Sequence, residues 1–316
     1  MRGRVTLIGL LQAAATLTVS VSLVTAFDSL HHVIELFSHF RLQYMVAAGL
    51  LAVGFAVLRS RYYAGLLALA AMMNAAFVLP WYFADSATTS GTPLKILHAN
   101  VHSSSISYER LIEVVGEESP DIVFLQEVTG AWAAATRALA SGYAFHYAEP
   151  REGNFGIAMF SRIPLDSVTH VDSPPFGNPT IVAQANVSGR VLTLISTHPA
   201  PPLGKTGYTS RNIQLEHVAD LAAGTSGPTV LVGDLNTTAW SQAYRSLLED
   251  TGLRDARHGF GVLPTWPTFM PFAMIPIDHA LVSSDVGVLD VRLGRRIGSD
   301  HLPLVVTVQL SSYPVP

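Results

Sequence analysis

Six short stretches of this 316-residue chain begin or end an apolar, strand-like run with a side chain able to do chemistry. KILHANV carries Asn100, DIVFLQEV carries Glu127, and VLTLISTHP delivers His198. TVLVGDLN delivers Asp234 and Asn236, PIDHALVS opens on Asp278 and His279, and GSDHLPL carries Asp300 and His301. Taken singly, Asp and Asn at such places are ordinary turn and cap residues. Taken together they gather carboxylates, amides and imidazoles, with no thiol, because the chain has no Cys. Oxygen-dominated donors suit a hard cation, Mg²⁺ or Mn²⁺, and not structural zinc. The lack of Cys also excludes disulfides, thiolate zinc, iron–sulfur clusters and a cysteine nucleophile.

Rigid elements must aim these groups. From about residue 94 to 312 the chain alternates short Val/Ile/Leu-rich runs, bounded by turn residues, with helical stretches near 107–117, 131–140, 208–223 and 241–251. The strand-like runs are KILHANV, DIVFLQ, IAMFS, VLTLIST, TVLVGDL, HALVS and PLVVTV. This pattern predicts an α/β or α+β domain with no internal repeat. Successive side chains of a strand point to opposite faces. His279, next to Asp278, therefore reads as structural, whereas His102 shares a face with Asn100 if that strand persists.

The order and wording of ANV, LQEV, NFGIAMFSRIPL, STHP, GDLN, IDHALVS and GSDHLPL resemble the endonuclease/exonuclease/phosphatase superfamily, the deoxyribonuclease-I-like metal-dependent phosphohydrolases. The resemblance implies a four-layer α/β/β/α sandwich with its active site at one end. It implies that Glu127 is the principal metal carboxylate, with Asn100 beside it and Asp300 on the metal side. Asp234 matches the aspartate that orients or deprotonates the attacking water, and Asn236 the amide that holds the phosphate or the metal's surroundings. His301 matches the histidine on the scissile phosphate and Asp278 the carboxylate that orients it. His198 falls where some members have a second catalytic histidine. Asn154, His102 and Arg211 are further candidates for binding the substrate, with Trp266 either stacking on it or packing a loop.

The first part of the chain has a different character. Only 13% of residues are charged and mean hydropathy is +0.35, whereas soluble domains carry roughly 25% charged residues. The deficit is concentrated in three uncharged apolar stretches, Val5–Phe27, Leu42–Leu58 and Tyr62–Phe83. A spanning helix needs about 20 apolar residues, so residues 1–84 read as a three-helix transmembrane region preceding the α/β sandwich. A cleaved signal peptide is the rival reading of the first stretch, but its apolar run exceeds the usual ~7–15 residues. Asp28–Arg41 has Leu30, Val33, Ile34, Phe37 and Phe40 on one helical face and reads as a helix in the membrane interface. His31, His32, Glu35 and His39 lie elsewhere on it and read as solvated. Residues 85–93 read as a linker of small and polar residues. Arg2 and Arg4 precede the first stretch, and Arg59 and Arg61 separate the second from the third. The positive-inside rule then puts the N-terminus in the cytoplasm and the domain after Phe83 outside it, on a multi-pass membrane protein.

Charge bears on the partner. After Phe83 there are 14 basic and 21 acidic residues, a net −7, with only Lys95 and Lys205 as lysines. Nucleic-acid binding rests on neutralising phosphates with Lys and Arg, so no stable nucleic-acid partner is expected. The expected substrate is a phosphoester or pyrophosphate held in the bilayer, such as a lipid-linked phosphate or phospholipid. The apolar loop at 263–276 is placed to dip towards the bilayer or to line an acyl groove. An extracytoplasmic metal-dependent nuclease and a catalytically inactive tethered binding module stay open as alternatives.

Overall fold

The computed structural model describes residues 6–83 and 91–310. Most of the stretch read as a linker lies outside the described residues, and its last residue, Pro93, already begins the first strand.

Four helices come first: α1 (Leu7–Val24), α2 (His32–Ser38), α3 (Arg41–Val57) and α4 (Arg61–Val78). Ala15, Ala48 and Ala70 sit with Phe55 and Leu67 in the contact between α1, α3 and α4, where small residues let backbones approach. Asn74 of α4 donates to Ser22 of α1 at 2.9 Å, a buried polar link between the two. Leu10, Leu17, Leu50, Val53, Leu69 and Met72 point outward, exposed. Leu7–Leu30 and Arg61–Tyr82 are long and apolar enough to cross a membrane, and α2 with α3 forms a pair bent by 62°.

The stretch between α1 and α3 corrects the sequence reading. Residues 28–41 do not form one helix; a 3₁₀ turn over Thr25–Leu30 is followed by extended backbone at His31 and then by the seven-residue α2. Glu35 and His39 are buried against the α/β domain and are not solvated. Leu30, Val33 and Phe37 remain exposed on the opposite side.

Among the described residues twelve strands follow, in two six-stranded mixed sheets. One has the order β11-β12-β1-β2-β4-β3 and the other β5-β6-β7-β8-β10-β9. The strands of the first are β1 (Pro93–Asn100), β2 (Ile122–Gln126), β3 (Phe145–Glu149), β4 (Ile157–Ser161), β11 (Val286–Leu293) and β12 (Leu304–Leu310). Those of the second are β5 (Ser167–Ser173), β6 (Asn178–Val187), β7 (Arg190–Thr197), β8 (Thr229–Asp234), β9 (Arg254–Asp255) and β10 (Asp278–Val282). β2, β4, β8 and β10 are buried on both faces, which is why they read as continuous apolar runs and not as alternating ones. One face of each sheet meets the other in a core that includes Ile96, Phe124, Met159, Ile181, Leu194 and Val232. The outer face of the first sheet packs on α5 (Tyr108–Glu118) and α6 (Gly130–Ala135) through Leu111, Val115 and Trp132. The outer face of the second packs on α7 (Gly204–Ala223) and α8 (Gln242–Thr251) through Leu215, Val218 and Leu247. Helix, sheet, sheet and helix therefore stack in that order.

The helical region is pinned to this sandwich. Trp81, just after α4, stacks on His258 at 4.2 Å between ring centroids, and its carbonyl accepts from Gly259 and Gly261 N–H, each at 2.9 Å. Trp240 Nε1 donates to the carbonyl of Phe77, and Gln43 to that of Met274.

Candidate active site

Strand direction brings the polar residues to one end. β1 and β2 run parallel, so Asn100 and Glu127 leave the first sheet on the same side. β7 and β8 are also parallel and deliver His198 and Asp234 together. β10 is antiparallel to β8, with Asp278 paired to Asp234, and β12 is antiparallel to β1, which returns Asp300 and His301 to the same edge. Gln126 ties the sheets beneath the site: its side-chain oxygen accepts from Asp234 N–H at 2.8 Å and its amide donates to the Thr197 carbonyl. Gly233 is needed here, because a Cβ at that position would lie 2.0 Å from the Thr197 oxygen.

Three of these residues hold left-handed backbone: His102 (φ 60°), Glu127 (φ 63°) and Asn236 (φ 50°). For residues other than Gly this conformation costs about 1–2 kcal/mol. β1 ends at Asn100, so His102 reaches the site from a turn and not by continued strand alternation.

Asp278 is the innermost acid. Its Oδ2 accepts from His301 Nδ1 at 2.8 Å and its Oδ1 from His98 Nε2 at 2.9 Å, with all three side chains buried. Burial would lower the His301 pKa, but the Asp278 and Asp234 carboxylates push it up to about 10. Burial would raise the Asp278 carboxyl, but His301 and His98 hold it well below the usual carboxylate range. Asp234 is held low in the same way, against burial, by His301 and His198. Its Oδ2 lies 3.4 Å from His198 Nε2 and 3.6 Å from His301 Nε2, while its Oδ1 accepts from Asn236 N–H at 3.0 Å. Burial would lower the His198 pKa, but the adjacent Asp234 carboxylate, with Glu127 beyond it, raises it. Its ring also lies 3.3 Å from the Asn236 amide.

On the other side stand Glu127 and Asp300. His102 Nδ1 lies 3.4 Å from Asp300 Oδ1 and 3.8 Å from Glu127 Oε2. Glu127 also accepts from Asn100 Nδ2 at 3.0 Å and from Ser103 N–H at 2.8 Å. Asn100 Nδ2 reaches Asp234 as well, and its oxygen takes the His102 N–H, so Asn100 orients both carboxylates. Trp266 Nε1 donates to Asp300 Oδ2 at 2.9 Å. Asn154 is linked to Ser103 at 2.7 Å.

A cavity of about 450 Å³ opens on this cluster, lined by Glu127, His198, Asp234, Asn236, Asp300 and His301, with His102 and Asn154 at its rim. Asn100 and Asp278 lie one hydrogen bond behind the lining. Its other wall is apolar: Leu36 and Phe40, Pro201 to Leu203, Ile275 and Ile277.

Arg211 is a correction. It neither lines this cavity nor faces solvent; its guanidinium is fully buried and makes a two-point ion pair with Glu35 of α2 at 2.6 and 2.7 Å. It also donates to the Asn236 carbonyl at 3.0 Å. His279 is buried between Arg257 and the Thr237 carbonyl, in a structural role. Sequence reading missed His98 and Gln126, which sit inside β1 and β2. The signal was present: each is a polar residue in an apolar run, and the structure buries both, where such residues are hydrogen-bonded to something.

Among the described residues no Lys or Arg pairs with Glu127, Asp234, Asp278 or Asp300; the basic side chains beside them are all histidines. Asp234, Asp278 and His301 offer ligand-type atoms within 4.8 Å of one another, although both Asp278 oxygens are already engaged by imidazoles. Glu127 and Asp300, facing the cavity with oxygen donors and with no Lys or Arg beside them among the described residues, fit a hard divalent cation better.

The Endonuclease/Exonuclease/phosphatase family model matches residues 97–301, more than half of the chain. No curated protein matches the sequence. Among solved structures, an endonuclease/exonuclease/phosphatase from Beutenbergia cavernae superposes with a TM-score of 0.59 at 22% identity, over 71% of this chain and 73% of that one. D. rerio TDP2, solved with a single-strand DNA product, gives 0.58 at 19% identity, covering 69% and 99%. Sphingomyelinase C from Streptomyces griseocarneus gives 0.52 at 19%, covering 68% and 99%. At these identities the likeness is one of fold.

Proposed function

This chain belongs to the Endonuclease/Exonuclease/phosphatase family, and on that footing we propose that it is a membrane-anchored, divalent-metal-dependent phosphoesterase whose substrate is a lipid-borne phosphoester or pyrophosphate. Members of the family are phosphoester hydrolases, and their fold is shared by a protein solved with a single-strand DNA product and by a sphingomyelinase, so the substrate must be argued from the site. The carrying observation is the cavity: catalytic-type polar groups at one wall, apolar side chains at the other, and no Lys or Arg in its lining. Nucleic-acid channels need the reverse, a basic groove that tracks the backbone.

Residue roles follow from chemistry. Glu127 and Asp300 hold the cation, Mg²⁺ or Mn²⁺, which when bound neutralises phosphoryl charge and lowers the pKa of a bound water. Asp234, kept ionised, orients the attacking water through the oxygen that faces His198 and His301; its low pKa makes it a weak base, so orientation is its larger contribution. His301, protonated at neutral pH and aimed by Asp278, donates to a phosphoryl oxygen where negative charge grows. His198 and the Asn236 amide supply further donors, with Asn154 and His102 at the mouth.

Three membrane crossings, at about 5–27, 42–58 and 62–83, with the N-terminus cytoplasmic and the catalytic domain extracytoplasmic, complete the proposal. Support comes from the outward apolar faces of the helices and from the Arg pairs at 2/4 and 59/61. The test is hydrolysis by full-length protein in nanodiscs, with Mg²⁺ and chelator arms, of phospholipids and polyprenyl pyrophosphate against DNA and RNA. Higher kcat/KM on a lipid is expected, and a nucleic acid as the better substrate overturns the proposal.

A further inference from the structure

One wall of the active-site cavity does not come from the α/β sandwich at all. Leu36, His39 and Phe40 belong to α2 and the turn after it, between the first two long helices. The catalytic cavity is therefore open on that side unless the N-terminal region is in place.

The segment is held firmly. Glu35, beside Leu36, makes the buried two-point pair with Arg211, which in turn holds the carbonyl of Asn236. His39 Nδ1 bonds Thr238 Oγ1 at 3.0 Å; burial first, then the nearby Arg211 charge, pushes its pKa down to about 3, so it is a neutral wall residue. Asp28 caps α8 through Gln242 N–H at 2.8 Å and pairs with Arg245 at 3.2 Å. A buried pair such as Glu35–Arg211 is weak evidence for added stability but fixes one arrangement of its elements. Here the arrangement it fixes is Leu36 and Phe40 lining the cavity together with Leu203 and Ile275.

Leu203 lines the cavity and is at the same time 75% exposed. The apolar wall thus reaches the surface at Leu203. An apolar wall beside a phosphoester site, built in part by the segment that follows a helix long and apolar enough to cross a membrane, fits one occupant, a hydrocarbon chain still rooted in the bilayer.

We infer that Leu36, Phe40, Leu203 and Ile275 form a hydrocarbon subsite that grips the first carbons of the lipid chain next to the scissile phosphate, making the N-terminal region a specificity determinant of the enzyme. This rests on the lipid-phosphoesterase reading above and deepens it. The membrane region then does more than tether: it supplies two of the four side chains of this subsite, Leu36 and Phe40.

The experiment uses full-length protein in nanodiscs with p-nitrophenyl alkyl phosphates from methyl to octyl, kept monomeric. A buried methylene contributes about 0.8 kcal/mol, so kcat/KM should rise about fourfold per methylene until the chain leaves the wall. Leu36→Asn and Phe40→Ser should flatten that slope, lowering the octyl-to-methyl ratio, while the volume-conserving Leu36→Met should restore it. Thermal melts of each variant separate this from loss of folding. A slope unchanged in well-folded Leu36→Asn and Phe40→Ser overturns the subsite, as does a uniform loss on methyl and octyl esters alike. The lipid reading fails separately, when wild type prefers nucleic acid in the substrate panel.

Discussion

Asp278→Asn keeps the shape of the side chain and removes a charge whose two oxygens are both in use. The carboxylate accepts from His98 at 2.9 Å and from His301 at 2.8 Å in a fully buried setting. The amide has one acceptor oxygen and a donor NH₂ in place of the other, so one imidazole N–H loses its acceptor. His301 stands at about 10 against an ordinary 6.5, and Asp278 is the largest of the charges that raise it. A rise of that size is a preference for the imidazolium of about 5 kcal/mol at ~1.36 kcal/mol per tenfold. Without the share of that preference owed to Asp278 the imidazole still stays protonated at neutral pH, so the loss comes from an imidazolium no longer aimed at the phosphoryl group, roughly a hundredfold in kcat, or on the order of 2–3 kcal/mol. The stranded buried donor lowers folding stability by about 1–3 kcal/mol as well. The assay is kcat at saturating substrate and Mg²⁺ for Asp278→Asn, His301→Ala and the double variant, each with a thermal melt. Groups that act as a unit are strongly non-additive, so the double variant should be little slower than His301→Ala. A folded Asp278→Asn within about threefold of wild type, well under 1.4 kcal/mol, or single losses that multiply in the double variant, would refute the reasoning.

Glu127→Gln should weaken divalent-metal affinity at least tenfold or so, since even indirect partners of a ligand are worth about 10–100-fold; calorimetric titration with Mg²⁺ and Mn²⁺ checks this, and unchanged affinity removes Glu127 from the site. A reporter fused after Pro316 should be active only outside the cytoplasm, from the Arg pairs flanking the apolar stretches; a cytoplasmic signal means that one span is not real. Asp255 is buried beside Arg257 and His279, which hold its carboxyl below the usual range although burial opposes them. A depressed folded pKa gives stability that is present above the unfolded value of about 3.9 and is lost as pH falls below it. Melting temperature should therefore drop from about pH 4 downward, and Asp255→Asn should melt lower at neutral pH with a flatter acid limb; parallel acid limbs would remove the assignment.

Local sequence determined the parts of this protein whose signals are short in range. The central strands β1, β2, β4, β7, β8, β10 and β12 were legible as apolar runs because both of their faces, or nearly so, are buried. Asn100, Glu127, His198, Asp234, Asn236, Asp278, Asp300 and His301 were legible because each interrupts such a run at its end. The edge strands β3 and β5 went unread: they are half-exposed and carry too few apolar residues for a pattern. β6 was hidden by its Pro179 and its polar positions, β9 is only two residues long, and β11 alternates weakly around a register shift near Asp290. Tertiary structure alone decided what distant residues do for each other. Glu35 and His39 on an amphipathic stretch look solvated in sequence, and Arg211 looks free to meet a phosphate. Glu35 and Arg211 lie 176 positions apart, and only the docking of α2 on the sandwich brings them within 2.6 Å and turns both inward. His98 likewise gains its meaning from Asp278, 180 positions away in the other sheet. Burial pattern and turn chemistry are properties of neighbours in the chain. The partner of a buried charge is a property of the packing, because desolvation forces a pairing without saying where along the chain the partner will be found.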